Sequence, residues 1–272
     1  MMPVSRSLER SILIQGIVSL CAQALFLAVV FAAFQMSLSS LLLYLAIALV
    51  YHALLIAFLL SRGADFRLEG AQQPLERVNL SNTLTLARLS SIPTLLFLII
   101  EASTYPLVPV LLPFACLVFA TDFLDGIVAR RRNQVTFVGR YLDSTSDYVM
   151  IIAVSIIFLH YQLIPAWFFI LILARLILFA LGMGLLALRE GKADPVATFL
   201  GKASIFATMV LYVLELAERF GVPGIGNSLV VFIVEWVVAA IIVASVVDKA
   251  VFLGRRFAKA PPRRSGRVKG IS

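Results

Sequence analysis

Long apolar stretches, separated by short polar ones, run along most of this chain. Residues 11–35 carry no charged side chain, and a second apolar stretch, residues 38–61, follows after a very short connection. Because a membrane-spanning helix needs about 20 mostly apolar residues, these two stretches predict a transmembrane hairpin. Six further spans are predicted at about residues 84–101, 106–130, 141–160, 164–188, 201–217 and 228–252. The pattern therefore predicts an all-α polytopic membrane protein with about eight transmembrane helices.

The composition supports the same class. Of the 272 residues, 61% are hydrophobic and 14% are charged, whereas soluble domains contain about 45–50% apolar and about 25% charged residues. The net charge of +8 predicts contact with anionic membrane lipids and not with nucleic acid, because the chain is so apolar. Both cysteines, Cys21 and Cys116, lie in apolar stretches, so neither a disulfide framework nor a thiolate metal site is expected.

The basic residues predict how the chain is oriented. If the N-terminus is cytoplasmic, nearly all Lys and Arg residues fall on the cytoplasmic side, which is the side they favour; Arg175, within a span, and Arg219 are the exceptions. We therefore expect an inner (cytoplasmic) membrane protein with both termini in the cytoplasm. The expected regions are a transmembrane hairpin (1–61), a cytoplasmic or interfacial segment (62–82), a membrane domain (83–254) and a basic cytoplasmic tail (255–272).

Four carboxylates stand out because they are attached to apolar spans. Asp122 and Asp125 lie where the fourth span reaches the cytoplasmic face, and Asp143 and Asp147 lie where the fifth span leaves it. Residues three or four apart share one face of a helix, so each pair forms a stripe. Since the two spans are antiparallel, all four carboxylates are predicted to converge at the cytoplasmic end of the bundle, where the active site is expected.

Converging carboxylates need either protons or cations. An ionised aspartate at the centre of the bilayer costs about 2.5–3.5 kcal/mol on the insertion scale, and oxygen ligands favour Mg²⁺, Mn²⁺ or Ca²⁺ over zinc. A two-metal site is one solution, since paired ions can bridge phosphate oxygens during a displacement. Gly126 and Ala129 leave room for a ligand beside the carboxylates, and Arg130 can pair with a phosphate. Together these residues predict a pyrophosphate site.

Eight positions then complete a specific pattern, D-x2-D-G-x2-A-R-x8-G-x3-D-x3-D, formed by Asp122, Asp125, Gly126, Ala129, Arg130, Gly139, Asp143 and Asp147 with their spacing. This pattern resembles the signature of the CDP-alcohol phosphotransferase (CDP-alcohol phosphatidyltransferase) family. Weaker similarities are an N-x-x-T-x-x-R element at Asn82, Thr85 and Arg88, an intramembrane arginine at Arg175, and a G-K pair at Gly201 and Lys202. The resemblance covers about residues 80–252, and the hairpin at 11–61 is an addition to it.

The resemblance implies an activity and roles for these residues. Family members have a six-helix core and transfer a phosphoalcohol group from a CDP-alcohol, commonly CDP-diacylglycerol, to a second alcohol with release of CMP in phospholipid synthesis. It implies that Mg²⁺ or Mn²⁺ is held by Asp122, Asp125 and Asp143, and that Asp147 is a ligand, the general base, or both. The implied CDP site consists of Asp122, Gly126, Ala129, Arg130 and Gly139, and the implied assembly is a homodimer.

Basic residues near the motif bear on the identity of the acceptor alcohol. Four cations near the motif, Arg88, Arg140, Arg175 and Lys202, favour a phosphorylated acceptor such as glycerol 3-phosphate or inositol phosphate. Three of them have a simpler explanation: Arg175 could form a structural ion pair with a motif aspartate, and Arg88 and Lys202 could be ordinary flanking charges. An unphosphorylated acceptor, or a second phospholipid, remains the alternative (cardiolipin-, serine- or choline-type synthesis).

The residues leave two other classes of protein open. Intramembrane carboxylates mark ion pathways in transporters, but here all four cluster at one face, and the sequence shows no inverted repeat of the kind that transporters contain. A degenerate family member that only binds a lipid nucleotide is the remaining alternative, although its motif would not be expected to stay intact.

Overall fold

The computed structural model describes residues 5–68, 75–131, 135–190, 198–224 and 228–259, without the side chains of 122–130, 187, 189, 190, 228 and 259. Within these ranges the chain forms eight α-helices, one 3₁₀ turn and no β-strand. The helices are α1 (Arg6–Phe34), α2 (Leu38–Ser61), α3 (Leu80–Glu101), α4 (Val108–Arg131), α5 (Phe137–His160), α6 (Ala166–Glu190), α7 (Phe199–Arg219) and α8 (Ser228–Lys259). The predicted all-α class is confirmed.

Seven of these helices, all except α4, are long and apolar enough to cross a membrane. In α4 the apolar stretch with described side chains is the shorter segment Val108–Thr121. An integral, multi-pass membrane protein is therefore confirmed.

Several helices begin before the predicted spans because polar residues cap them. Ser5, Asn79, Thr136 and Thr198 each accept a hydrogen bond from a backbone N–H in the first turn of α1, α3, α5 and α7. Such caps satisfy donors that have no partner within the helix. The polar ends of the spans are thus helical, and a prediction from hydrophobicity alone leaves them out.

The N-terminal hairpin is packed closely. A Cβ atom added to Gly16 of α1 would lie 2.5 Å from Ile56 of α2, so glycine permits the two helices to approach each other at this point. Both α1 and α2 also pack against α3. The hairpin is therefore joined to the rest of the bundle through α3.

Helix α3 lies at the centre of the bundle. It contacts α1, α2, α4 and α5, and it is the most buried of the seven candidate spans. Helix α7 packs on α4, α5 and α8, and α6 packs on α5 and α8. This arrangement brings α5, α6, α7 and α8 around the residues that the next section describes.

The segment at 62–82 was predicted to be cytoplasmic or interfacial. Its described part contains the 3₁₀ turn Gly63–Asp65, and Arg67 then meets the start of α5. The Phe137 backbone N–H donates to the Arg67 carbonyl oxygen at 3.0 Å, and the Arg67 guanidinium lies 5.2 Å from the centre of the Phe137 ring. At Arg67 this segment therefore packs against the end of α5 that carries Asp143.

Candidate active site

Arg88 of α3 binds the two aspartates of α5. Its Nη2 atom lies 3.1 Å from Asp143 Oδ1 and 3.2 Å from Asp147 Oδ1. The same nitrogen donates to Ser146 Oγ at 2.5 Å. A buried guanidinium is costly unless it is paired, and Arg88 is 1% exposed. The packing of α3 on α5 thus fixes the positions of the second aspartate pair.

This arrangement gives Arg88 a role other than the predicted contact with an acceptor phosphate. A structural ion pair with the motif aspartates was considered for Arg175, and the structure contains such a pair at Arg88. Arg88 does not line the cavity described below. Arg88 is therefore placed to orient Asp143 and Asp147 from the side away from the cavity, and not to contact an acceptor.

A second connection joins α3 to the start of α5. Thr136 caps α5 by accepting from the Gly139 N–H at 3.0 Å, and its hydroxyl donates to Asn82 Oδ1 at 2.9 Å. A Cβ atom at Gly139 would lie 2.5 Å from Asn82 Oδ1 and 2.7 Å from Thr136 Oγ1. Gly139 is therefore needed for this contact, irrespective of the CDP-binding role that the resemblance implies for it.

The buried amide of Asn82 has a further donor. Asn82 is 1% exposed, and its Nδ2 atom has no hydrogen-bond partner among the described residues. A buried N–H group without a partner is costly, and this one lies beside a glycine of the motif. It can satisfy an acceptor atom of a bound molecule.

A cavity of about 290 Å³ lies between α5, α6, α7 and α8. Five of the predicted site residues line it together: Asp143, Asp147, Arg140, Arg175 and Lys202. Asp143 is the more accessible aspartate, with 33% of its side chain exposed against 10% for Asp147. Three of the four cations considered for an acceptor phosphate therefore share one cavity with two motif carboxylates.

Arg175 is held by the first turn of α7. Its Nη2 atom donates to the Gly201 carbonyl oxygen at 2.9 Å, and the Gly201 N–H donates to the capping Thr198 hydroxyl at 3.1 Å. No ion pair of 4.0 Å or less joins Arg175 to another described residue. The G-K pair of the sequence is thus the start of α7, where Gly201 anchors Arg175 and Lys202 follows.

Lys249 of α8 also lines the cavity, although it was not among the predicted site residues. Its Nζ atom lies 4.7 Å from the centre of the Phe179 ring of α6. In the sequence it was one of several basic residues at and beyond the end of the last apolar stretch. Ser245 and Leu253, four residues to either side, line the same cavity, because residues four apart share a helix face. Neither is charged, so the sequence offered no signal for a site on this face.

The first half of the motif lies on α4. The backbone there is helical to Arg131, so Asp122, Asp125 and Ala129 follow one another along one face by their spacing. Their side chains, and those of Gly126 and Arg130, lie outside the described part of the structure. The convergence of all four carboxylates remains a prediction.

The described side chains include part of the predicted metal site. Among the described side chains, no group of three or more His, Cys, Asp or Glu residues could hold a metal ion. The described members of the predicted ligand set, Asp143 and Asp147, offer only carboxylate oxygens, which suit Mg²⁺ or Mn²⁺. The chemistry of these donors therefore fits the ions that the sequence predicts.

Comparison with known proteins identifies what this bundle is similar to. A model of the family described as CDP-alcohol phosphatidyltransferase matches residues 78–250, which is α3 to most of α8. A protein of Streptomyces coelicolor named cardiolipin synthase (CMP-forming) is 34% identical over 143 residues, which is 51% of this chain and 65% of that protein. The chain thus spans slightly less than two thirds of this relative.

Two further relatives carry a different name, CDP-diacylglycerol–glycerol-3-phosphate 3-phosphatidyltransferase. The Bacillus subtilis protein is 33% identical over 144 residues, covering 48% of this chain and 73% of that protein. The Rickettsia bellii protein is 32% identical over 165 residues, covering 59% of this chain and 87% of that protein. The name of the S. coelicolor protein thus specifies a product and the formation of CMP, whereas the names of the other two specify a donor, an acceptor and the transferred group.

Proposed function

Since the chain belongs to the CDP-alcohol phosphatidyltransferase family, we propose that it transfers a phosphatidyl group from CDP-diacylglycerol to an acceptor alcohol and releases CMP. The observation that carries this proposal is the single cavity on which Asp143 and Asp147 meet Arg140, Arg175 and Lys202. Carboxylates that can bind metal and accept a proton, next to cations that can bind phosphate, are the groups that phosphoryl transfer requires.

Asp147 is proposed as the general base. Its carboxylate lines the cavity, and it accepts the proton of the acceptor hydroxyl while the hydroxyl oxygen attacks the phosphorus atom that bears the lipid. The bond from that phosphorus to the CMP oxygen breaks in the same displacement. Arg88, 3.2 Å from Asp147 Oδ1, holds the carboxylate in one orientation, and such positioning lowers the entropic cost of the step.

Asp122, Asp125 and Asp143, with Asp147 as a further ligand, are proposed to hold Mg²⁺ or Mn²⁺ in a two-metal site. When bound, the ions would neutralise the charge on the phosphates of the nucleotide. The proposed CDP site is formed by Asp122, Gly126, Ala129, Arg130 and Gly139. The Asn82 amide, which is buried beside Gly139 with an unused donor, suits an acceptor atom of the same nucleotide.

A phosphorylated acceptor, such as glycerol 3-phosphate or inositol phosphate, is the favoured second substrate. Among the described residues, four cations line the cavity: Arg140, Arg175, Lys202 and Lys249. Arginine and lysine side chains bind phosphate oxygens, so this lining suits a phosphate monoester. The names of the B. subtilis and R. bellii relatives support glycerol 3-phosphate.

A second phospholipid, such as phosphatidylglycerol, is the alternative acceptor. It is favoured by the name of the S. coelicolor relative, cardiolipin synthase (CMP-forming). The apolar side chains on the cavity wall, among them Leu176, Phe179 and Leu253, are compatible with a lipid. Both acceptors carry a phosphate group, so the cations alone do not separate them.

The orientation and assembly are also proposals. Arg140, Lys202 and Lys249 lie at the end of the bundle that carries the cavity, and this excess of basic residues supports a cytoplasmic active site. The N- and C-termini are then cytoplasmic. The proposed homodimer rests on the family alone.

An assay of acceptor specificity tests the proposed function. Purified protein with CDP-diacylglycerol and Mg²⁺ or Mn²⁺ is given glycerol 3-phosphate, inositol phosphate, serine or phosphatidylglycerol vesicles, and released CMP is measured. We expect a phosphorylated small acceptor to stimulate release most strongly. Stimulation by the vesicles alone would establish the alternative acceptor, and no release with any acceptor would contradict the proposal and return attention to an ion-binding transporter.

A further inference from the structure

A proline interrupts the hydrogen-bond pattern of α3 close to Arg88. Pro93 lies inside the helix, and because proline has no N–H it cannot donate to the carbonyl of Leu89, four residues earlier. The Tyr51 hydroxyl of α2 donates to that carbonyl oxygen at 2.8 Å. The hairpin thus supplies the hydrogen bond that the proline removes.

A chain of side chains makes a second connection. The Thr94 hydroxyl donates to Gln23 Oε1 of α1 at 2.6 Å, so Tyr44 of α2 must donate to Thr94, at 2.8 Å. Gln23 Nε2 donates to Ser91 Oγ at 3.0 Å. The Ser91 hydroxyl in turn donates to the Ala87 carbonyl oxygen at 2.8 Å.

The two connections end on either side of Arg88. One reaches the carbonyl of Ala87 and the other the carbonyl of Leu89. Helices bend at prolines because backbone hydrogen bonds are missing there. A bend at this turn of α3 would move the Arg88 side chain relative to α5. The hairpin lies outside the residues matched by the family model, 78–250.

We propose that the N-terminal hairpin is a positioning element of the active site. By completing the hydrogen bonding of α3 at Leu89, Tyr51 holds the turn that carries Arg88, and Arg88 then holds Asp143 and Asp147. Tyr51 is a positioning residue and touches no substrate. The inference rests on the proposed function, because it concerns the rate of the transfer in which those aspartates act.

The test is a double-mutant cycle with Tyr51→Phe and Pro93→Ala. Tyr51→Phe removes only the donor to Leu89, whereas Pro93→Ala restores a backbone N–H that can donate to the same carbonyl. Tyr105→Phe is the matched control, since it removes another hydrogen bond between the hairpin and the core, from the Ser37 N–H to the Tyr105 hydroxyl at 3.0 Å, beyond the far end of α3. For each variant, kcat and KM for CMP release and the thermal unfolding midpoint in detergent are measured.

We expect Tyr51→Phe to lower kcat about tenfold, with KM for CDP-diacylglycerol changed less than about twofold. In the Pro93→Ala background the same substitution should change kcat by less than about twofold, and Tyr105→Phe should leave kcat unchanged. This rescue would not occur if the hydroxyl served only to pack the hairpin.

Two results would overturn the inference. The first is a Tyr51→Phe protein with a lower unfolding midpoint and an unchanged kcat, which would make the contact purely structural. The second is an equal loss of kcat with and without Pro93, which would show that the hydroxyl acts other than through Leu89. Failure of the proposed function is distinguishable, because the wild-type protein itself would then release no CMP.

Discussion

Arg88 and Asp147 form a buried ion pair, with 3.2 Å between the guanidinium Nη2 and the carboxylate Oδ1. Arg88 lies on the first helix of the region that the family model matches, and Asp147 is the last residue of the aspartate motif. The pair therefore connects the two sequence elements that resemble the family, N-x-x-T-x-x-R and the motif itself. The same arginine also binds Asp143.

Arg88→Ala is predicted to destabilise the protein and abolish turnover. Removing one partner of a buried ion pair costs about 3–5 kcal/mol, because the other partner stays buried and charged. Arg62→Ala is the control: Arg62 is largely exposed and pairs with Asp65 at 3.7 Å, and exposed pairs contribute about 1 kcal/mol or less. Thermal unfolding in detergent measures the stability of both variants, and CMP release measures their turnover. Equal unfolding midpoints for Arg88→Ala and Arg62→Ala would contradict a structural role for Arg88.

Gly139→Ala is predicted to lower stability and activity together. The new Cβ would lie 2.5 Å from Asn82 Oδ1, so the hydrogen bond between Asn82 and Thr136 must break or the ends of α3 and α5 must separate. At Gly184 an added Cβ meets no atom within 4 Å, so Gly184→Ala should be neutral or stabilise α6 by up to about 1 kcal/mol. An unaltered unfolding midpoint in Gly139→Ala would show that the glycine is required only by a ligand.

Lys249→Met is predicted to impair the use of a phosphorylated acceptor selectively. Methionine keeps much of the length and apolar character of the side chain but removes the charge that faces the cavity. A charge-assisted hydrogen bond is worth about 1.5–3 kcal/mol, so kcat/KM for glycerol 3-phosphate should fall about tenfold or more. Arg255→Met, at an exposed position of α8, is the control. An equal rise in KM for CDP-diacylglycerol would contradict a role specific to the acceptor.

Removal of divalent cations is predicted to stop CMP release reversibly. Oxygen ligands bind Mg²⁺ and Mn²⁺ in preference to softer ions, so either ion should restore activity after treatment with a chelator, whereas Zn²⁺ should not. Continued release of CMP in the presence of excess chelator would contradict the proposed metal site.

The sequence was sufficient to predict the membrane class, the helical hairpin and the common helix face of Asp143 and Asp147, because these follow from length and spacing along single helices. Arg175 and Lys202 lie on two other helices, and they were named from the resemblance and the predicted topology. The helix starts were less accurate, because caps such as Thr136 extend helices into polar sequence. Hydrophobicity does not register such extensions.

Contacts between helices were harder to predict. A flanking arginine and a buried, paired arginine cannot be distinguished in the sequence. The role of Arg88 follows from its ion pairs with α5, which only the structure shows. Lys249 was hidden among other basic residues for the same reason. The hydrogen bond from Tyr51 to the Leu89 carbonyl joins residues 38 positions apart, and no local sequence pattern predicts it.

The central claim is that Asp147 acts in a transfer that releases CMP. Its most direct test compares wild-type protein with Asp147→Asn, with Mg²⁺, CDP-diacylglycerol and the preferred acceptor, and with Asp65→Asn as a control outside the site. Because general base catalysis contributes about 10²–10⁴-fold, we predict at least a hundredfold loss of CMP release in Asp147→Asn and none in Asp65→Asn. Turnover by Asp147→Asn close to that of the wild type would contradict the account.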